Sequence, residues 1–144
     1  MTAARNWRNG VTVVRGRSLA EAMRDPSGSG RATVFDFSGS GGKATWIGNV
    51  TNQPGAKTGT HNHGRHEAAI YIVKGRSEIR WGEHLEYAAD VGPGDFVYFS
   101  PHVPHQERNP SDTEGVEFVV VRSDNERIVV KMDDAPVERP EYVY

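Results

Sequence analysis

Turn-forming residues cut this chain into short apolar stretches, and that punctuation constrains the fold more than any other feature. Sixteen glycines and eight prolines separate segments of strand character: Val11–Val14, Ala32–Phe37, Ala44–Val50, Ala69–Val73, Ser77–Trp81, Phe96–Phe99, Val116–Arg122 and Ile128–Lys131. The breaks carry turn chemistry: Ser38-Gly39-Ser40-Gly41-Gly42, Gln53-Pro54-Gly55, Lys74-Gly75, Gly92-Pro93-Gly94-Asp95 and Asn109-Pro110-Ser111-Asp112. Glycine there supplies positive φ, and proline presets the bend. Many short strands at such spacing predict an all-β sandwich or barrel. One helix is expected. Ser18-Leu19-Ala20-Glu21 has the form of a capping box, with a stop at Asp25-Pro26-Ser27-Gly28. Ser18 would cover the first amides and Glu21 would reach back. A helix that ends near Arg24 is too short to stand alone and needs the barrel to pack on.

Composition excludes several functions. The 144 residues suit one domain with a real core. A formal charge of -2 leaves no basic footprint for nucleic acid. No apolar run approaches the roughly 18–20 residues of a membrane span, and Met1 to Gly10 lack the apolar core of a signal peptide. No membrane partner is therefore expected, and the cytoplasm is the expected compartment. The chain has no cysteine, so disulfides and thiolate metal sites are excluded and any metal must take nitrogen and oxygen ligands.

The histidines point to such a site. All six (His61, His63, His66, His84, His102 and His105) fall between positions 61 and 105. Residues i and i+2 of a strand share a face, about 6–7 Å apart, so His61 and His63 can converge on one ion. Neutral imidazole suits Zn, Cu, Fe and Ni; a carboxylate beside it widens the choice to Mn. A lone His-x-His is more often two polar residues on an edge strand. A second segment changes that weight: Gly94 to Asn109 reads as a strand, a proline-pinned turn and then His105.

Together the two segments resemble the paired motifs of the cupin superfamily. The first motif runs Gly, five residues, His-x-His, three or four residues, Glu, six residues, Gly; Gly55, His61, His63 and Glu67 meet that spacing, and Gly75 closes it. The second runs Gly, five residues, Pro-x-Gly, two residues, His, three residues, Asn; Gly94, His105 and Asn109 fall in place. The likeness covers roughly Trp46 to Val121. It departs at Ser100-Pro101, where the proline comes one place late, and at His102, which stands for the glycine. It also departs after Glu67, where seven residues rather than six precede Gly75. Inward parity from Glu67 would bury Ala69, Tyr71 and Val73. Parity from Ala68 would bury Ile70 and Ile72 and leave Tyr71 outside. Glu67 serves as a ligand if a β-bulge near Glu67–Ala68 resets the face; His66, which shares parity with Ala68, is the rival. Glu67 is favoured for its spacing from His63 and because carboxylate ligation is the commoner pattern of the family.

The resemblance implies a double-stranded β-helix, the cupin or jelly-roll barrel, with a short N-terminal helix. It divides the chain into an extension packing on the barrel (1–40), the barrel (41–132) and a C-terminal tail (133–144). It implies a divalent transition metal ion (Mn, Fe, Co, Ni, Cu or Zn) held by His61, His63, Glu67 and His105, with two adjacent positions open to water or a small-molecule substrate. A metal-dependent enzyme follows, either dioxygenase-like or an isomerase or lyase; the same ligands serve both classes. The alternative is a non-catalytic small-molecule-binding or sensor cupin. A metal-free sugar-epimerase barrel with a His–Asp pair is disfavoured by the intact His-x-His and His105. The family also implies a homodimer, with the first 40 residues as the exchanged segment.

Other residues carry less. His102 is either a donor at the mouth of the site or a turn residue, and His84 reads as a surface residue of a hairpin. Tyr71, Phe96, Tyr98, Phe99 and Phe118 have strand spacing and are mostly core. Gln106 and Arg108, like Arg80 and Trp81, divide between faces. Asp95 reads as a hairpin residue and Asn109 as a strand end. The tail Glu138–Tyr144 is open between covering a barrel edge, joining a dimer contact and fraying.

Overall fold

Eleven strands form among the described residues, and the longer ones turn apolar side chains toward one core. The computed structural model describes residues 8, 11, 13, 15–19, 29–35, 44–123, 128–133 and 135–144. Its elements are α1 (Gly16–Leu19), β1 (Ser29–Phe35), β2 (Trp46–Asn52), β3 (His61–Asn62), β4 (Ala68–Lys74), β5 (Ser77–Trp81), β6 (Tyr87–Val91), β7 (Phe96–Phe99), β8 (His105–Arg108), β9 (Val116–Arg122), β10 (Val130–Lys131) and β11 (Glu141–Tyr142). They form a five-stranded sheet in the order β1-β2-β9-β4-β7 and a six-stranded sheet in the order β10-β3-β8-β5-β6-β11. Every pairing is antiparallel except that of β11 with β6. This is the all-β, double-stranded β-helix architecture.

The core joins Val50 of β2, Ala68, Ile70 and Ile72 of β4, Ile79 of β5, Val91 of β6, Phe99 of β7, and Val116 and Phe118 of β9. Alternation places them there: β2 buries every second residue from Trp46 to Asn52, and β9 buries Val116 and Phe118. Ile72 and Ile79 are almost wholly buried. At the turn after β4, Gly75 has φ of 79°, and a side chain there would run into the backbone of Gly115 and Val116. Only glycine satisfies both demands.

The ends of the chain differ from expectation. The helix from Ser18 to Arg24 is not seen as such: α1 is a four-residue turn two positions earlier, and residues 20–24 lie outside the described residues. Val11 and Val13 belong to no strand and are exposed; two hydrophobic residues without a sheet partner do not hold a strand. Thr12 and Val14 lie outside the described residues. The tail covers an edge: β11 pairs with β6 through Glu141↔Tyr87 and Tyr142↔Ala88. The Tyr142 hydroxyl donates to Glu78 Oε2 at 2.6 Å, and that bond pushes its pKa up to about 12.

Candidate metal centre

Two strand segments bring three imidazoles together. His61 opens β3 and His105 opens β8, and they are direct cross-strand partners. His63 follows one residue beyond β3 and returns to the same side as His61. The ring centroids lie 4.4 Å apart for His61–His105, 5.0 Å for His61–His63 and 5.2 Å for His63–His105. One ring nitrogen from each lies within 4.8 Å of the others.

Backbone carbonyls fix the tautomers. Nδ1 of His61 donates to Gly59 O at 2.8 Å, Nδ1 of His63 to Ile128 O at 3.0 Å and Nδ1 of His105 to Val103 O at 3.0 Å. A carbonyl only accepts, so each Nδ1 carries a proton, and in the neutral ring the lone pair is then on Nε2. Burial disfavours the charged form of His63 and His105. The His63 pKa is lowered to about 4, first by desolvation and then by His105 and His61, against the raising effect of its Ile128 bond. His105 is lowered as well, by desolvation first, with Glu107 opposing. Nε2 of His105 is buried without a protein hydrogen bond, and its ring stacks on Phe99 at 4.2 Å. An orphaned, unprotonated imidazole nitrogen facing two others fits a divalent transition metal.

The fourth expected ligand is not with them. Glu67 is exposed; its Oε1 accepts a 2.6 Å bond from the Tyr98 hydroxyl, which raises the Tyr98 pKa. Ser123 ties down the Glu67 backbone on both sides. The reason is parity. β4 turns Ala68, Ile70 and Ile72 inward and leaves Tyr71 outside, and its pairing with β7 is regular from Ala68 to Tyr71. The one irregularity of β4 falls between Ile72 and Lys74, too far along to turn Glu67 inward. His66 is buried at 2% exposure, yet it too is outside the three-histidine group among the described residues.

A cavity of about 850 Å³ opens beside His61 and His63. Trp46, Val50, Phe118 and Val120 form its apolar wall, and Thr58, Glu107 and Arg122 add polar groups. Trp46 lies over Gly48, where any Cβ would overlap the indole, and the Arg122 guanidinium sits 4.0 Å above the ring. The sequence reading missed Trp46, Thr58, Glu107 and Arg122. For Glu107 a signal exists: it stands two residues after His105 and shares its face.

Asn109 and Asp95 hold loops in place. The Asn109 side chain donates to Asn52 O, Gln53 O and Glu114 O and accepts from Ser111 N, clamping two loops. Asp95 accepts from Gly92 N within its hairpin. His102 is exposed with φ of 64°, and its N–H donates to Gly64 O at 2.7 Å; the left-handed backbone explains why glycine is usual there. His84 is exposed beside the β5–β6 turn. Arg80 donates to Leu85 O and Val137 O, while Trp81 packs against the core. Phe96, Tyr98 and Tyr71 face outward; Phe99 and Phe118 are buried.

The model of the Cupin domain family matches residues 48–122. Among solved structures, an uncharacterized conserved protein with a double-stranded beta-helix domain from Klebsiella pneumoniae is 17% identical, with a TM-score of 0.66 over 81% of this chain and 95% of that one. A cupin 2 domain-containing protein from Halorhodospira halophila is 25% identical, with a TM-score of 0.64 over 80% and 77%. The polyketide cyclase RemF from Streptomyces resistomycificus is 21% identical, with a TM-score of 0.64 over 78% and 80%. No curated protein matches.

Proposed function

This chain belongs to the cupin domain family, and from that premise we propose that it is a metal-dependent enzyme acting on a small organic molecule. The carrying observation is the convergence of His61, His63 and His105, each with Nδ1 committed to a carbonyl. These three residues would hold the ion. When bound, it would supply Lewis-acid polarisation of a substrate oxygen or, if redox-active, oxidative chemistry. The apolar wall of Trp46, Val50, Phe118 and Val120 would grip the carbon skeleton and exclude water. Dioxygenase-like and isomerase or lyase reactions are both consistent with this arrangement.

Mn, Fe, Co, Ni, Cu and Zn are the ions to test. Elemental analysis after incubation with each should find about one equivalent per chain, and oxygen uptake or product formation should follow with a diketone, phenol or keto acid. A chain that stays metal-free with all six ions overturns the reading. One that takes up metal and binds these compounds without turnover is a binding module instead.

A homodimer belongs to the same proposal. Phe96, Tyr98 and Val73 are exposed on the outer face of β4 and β7, as an interface would require. Sedimentation should give twice the chain mass. In the division 1–40, 41–132 and 133–144, the N-terminal extension contributes β1 to the five-stranded sheet. No helix among the described residues is long and apolar enough to cross a membrane; the cytoplasm is proposed as the compartment.

A further inference from the structure

We infer that Glu107, not Glu67, supplies the carboxylate ligand of the metal centre. The inference rests on the three-histidine site proposed above and names its fourth donor. Glu107 lies two residues after His105 on β8, turns to the same face and is 8% exposed. It lines the same cavity as His61 and His63. Its Oε1 stands 3.8 Å from His105 Nε2, the nitrogen that has no protein hydrogen bond. Two donors bound about 2.1 Å from one ion at right angles lie roughly 3 Å apart. The three-histidine group does not include the carboxylate, so ligation requires its side chain to rotate toward the imidazoles.

The rest of the side chain is already held. Thr58 Oγ1 donates to Glu107 Oε2 at 3.1 Å and accepts from the Glu107 N–H at 3.1 Å. Thr58 thus engages one oxygen and leaves Oε1 on the imidazole side. A buried carboxylate is favoured by positive charge beside it, which a divalent ion among the three imidazoles would supply. The other acids fit less well: Glu67 is exposed and bonded to Tyr98 on the outer face, and Asp133 is an exposed residue of the cavity wall.

The test compares Mn(II) and Zn(II) affinities of the full-length wild type, Glu107→Gln and Glu67→Gln by calorimetric titration. Carboxylate oxygen matters most to Mn(II), while imidazole suits Zn(II). In Glu107→Gln the Mn(II) dissociation constant should rise by at least about tenfold, with a smaller rise for Zn(II); Glu67→Gln should stay within about twofold of wild type for both. Wild-type uptake of both ions with Glu107→Gln within threefold of it overturns this ligand and leaves the three-histidine reading standing. Equal losses for both ions mark a residue that only positions His105, and also overturn ligation. A wild type that takes up neither ion overturns the histidine site and its fourth donor together. If Glu107→Gln does not fold, a crystal structure of the Zn(II)-loaded wild type decides. A Glu107 oxygen about 2.0–2.2 Å from the ion is expected; a carboxylate still held only by Thr58 overturns the inference.

Discussion

Strands β4 and β8 each carry part of a cupin motif, and they turn opposite chemistry toward the barrel interior. β8 faces inward with His105 and Glu107. β4 faces inward with Ala68, Ile70 and Ile72 and sends the acid that precedes it, Glu67, to the outer surface. The difference teaches that face, not spacing alone, decides which side chain reaches the interior. A one-residue offset moves every side chain of a strand to the other side, so Glu67 keeps the right distance from His63 in sequence and still loses the cavity.

The division of labour that follows, proposed metal ligands on β8 and core packing on β4, can be broken at graded cost. The largest effect belongs to His105→Ala, which removes one of three nitrogens. Metal affinity measured by titration should fall more than about a hundredfold, beyond the 10–100-fold typical of partners that only orient a ligand. Retained affinity would take β8 out of the site.

Ile72→Ala strikes the other strand. Ile72 is 0% exposed, and such a truncation costs about 2–5 kcal/mol. Denaturant unfolding should show that loss while the folded protein keeps its wild-type metal affinity. A matching loss of affinity would mean that the core and the site are not separable.

Acid should sharpen the contrast in metal-free protein. The His63 pKa is about 4 in the fold against an ordinary 6.5, so the unfolded chain binds more protons between those values and stability rises with pH there. Its contribution is full above about 6.5 and is lost as pH falls toward 4. Melting temperature should decline through that window, and less steeply in His63→Gln. Ile72→Ala should leave the slope unchanged. The smallest effect is expected at the turn before β8. His102→Gly relieves a left-handed residue, φ of 64°, and should raise stability by at most about 1–2 kcal/mol with metal affinity intact.

Much of this was legible in the chain. Ser77–Trp81, Phe96–Phe99 and Val116–Arg122 were readable to the residue because both ends are marked by turn chemistry and their interiors favour strands. β6 was not readable: Tyr87-Ala88-Ala89-Asp90-Val91 has two adjacent alanines and no clean alternation. β3 is two residues long and is held by pairing with β10 and β8, which no local pattern encodes. The same holds for the tail, where Tyr142 reaches Glu78 across 64 positions. At the site, spacing located His61, His63 and His105. Spacing alone did not show that Glu67 faces outward, because the face of β4 is set by its apolar residues, Ile70 and Ile72, rather than by the acid before them. Glu107 was open to the same parity argument that brought Gln106 and Arg108 to attention.

The central claim, three imidazole nitrogens converging on one ion, is tested most directly by pulsed electron paramagnetic resonance of the Cu(II)-loaded protein. One ion per chain with three coupled imidazoles is predicted, falling to two in His61→Ala. A wild type that binds no copper, or a His61→Ala spectrum identical to wild type, would contradict it.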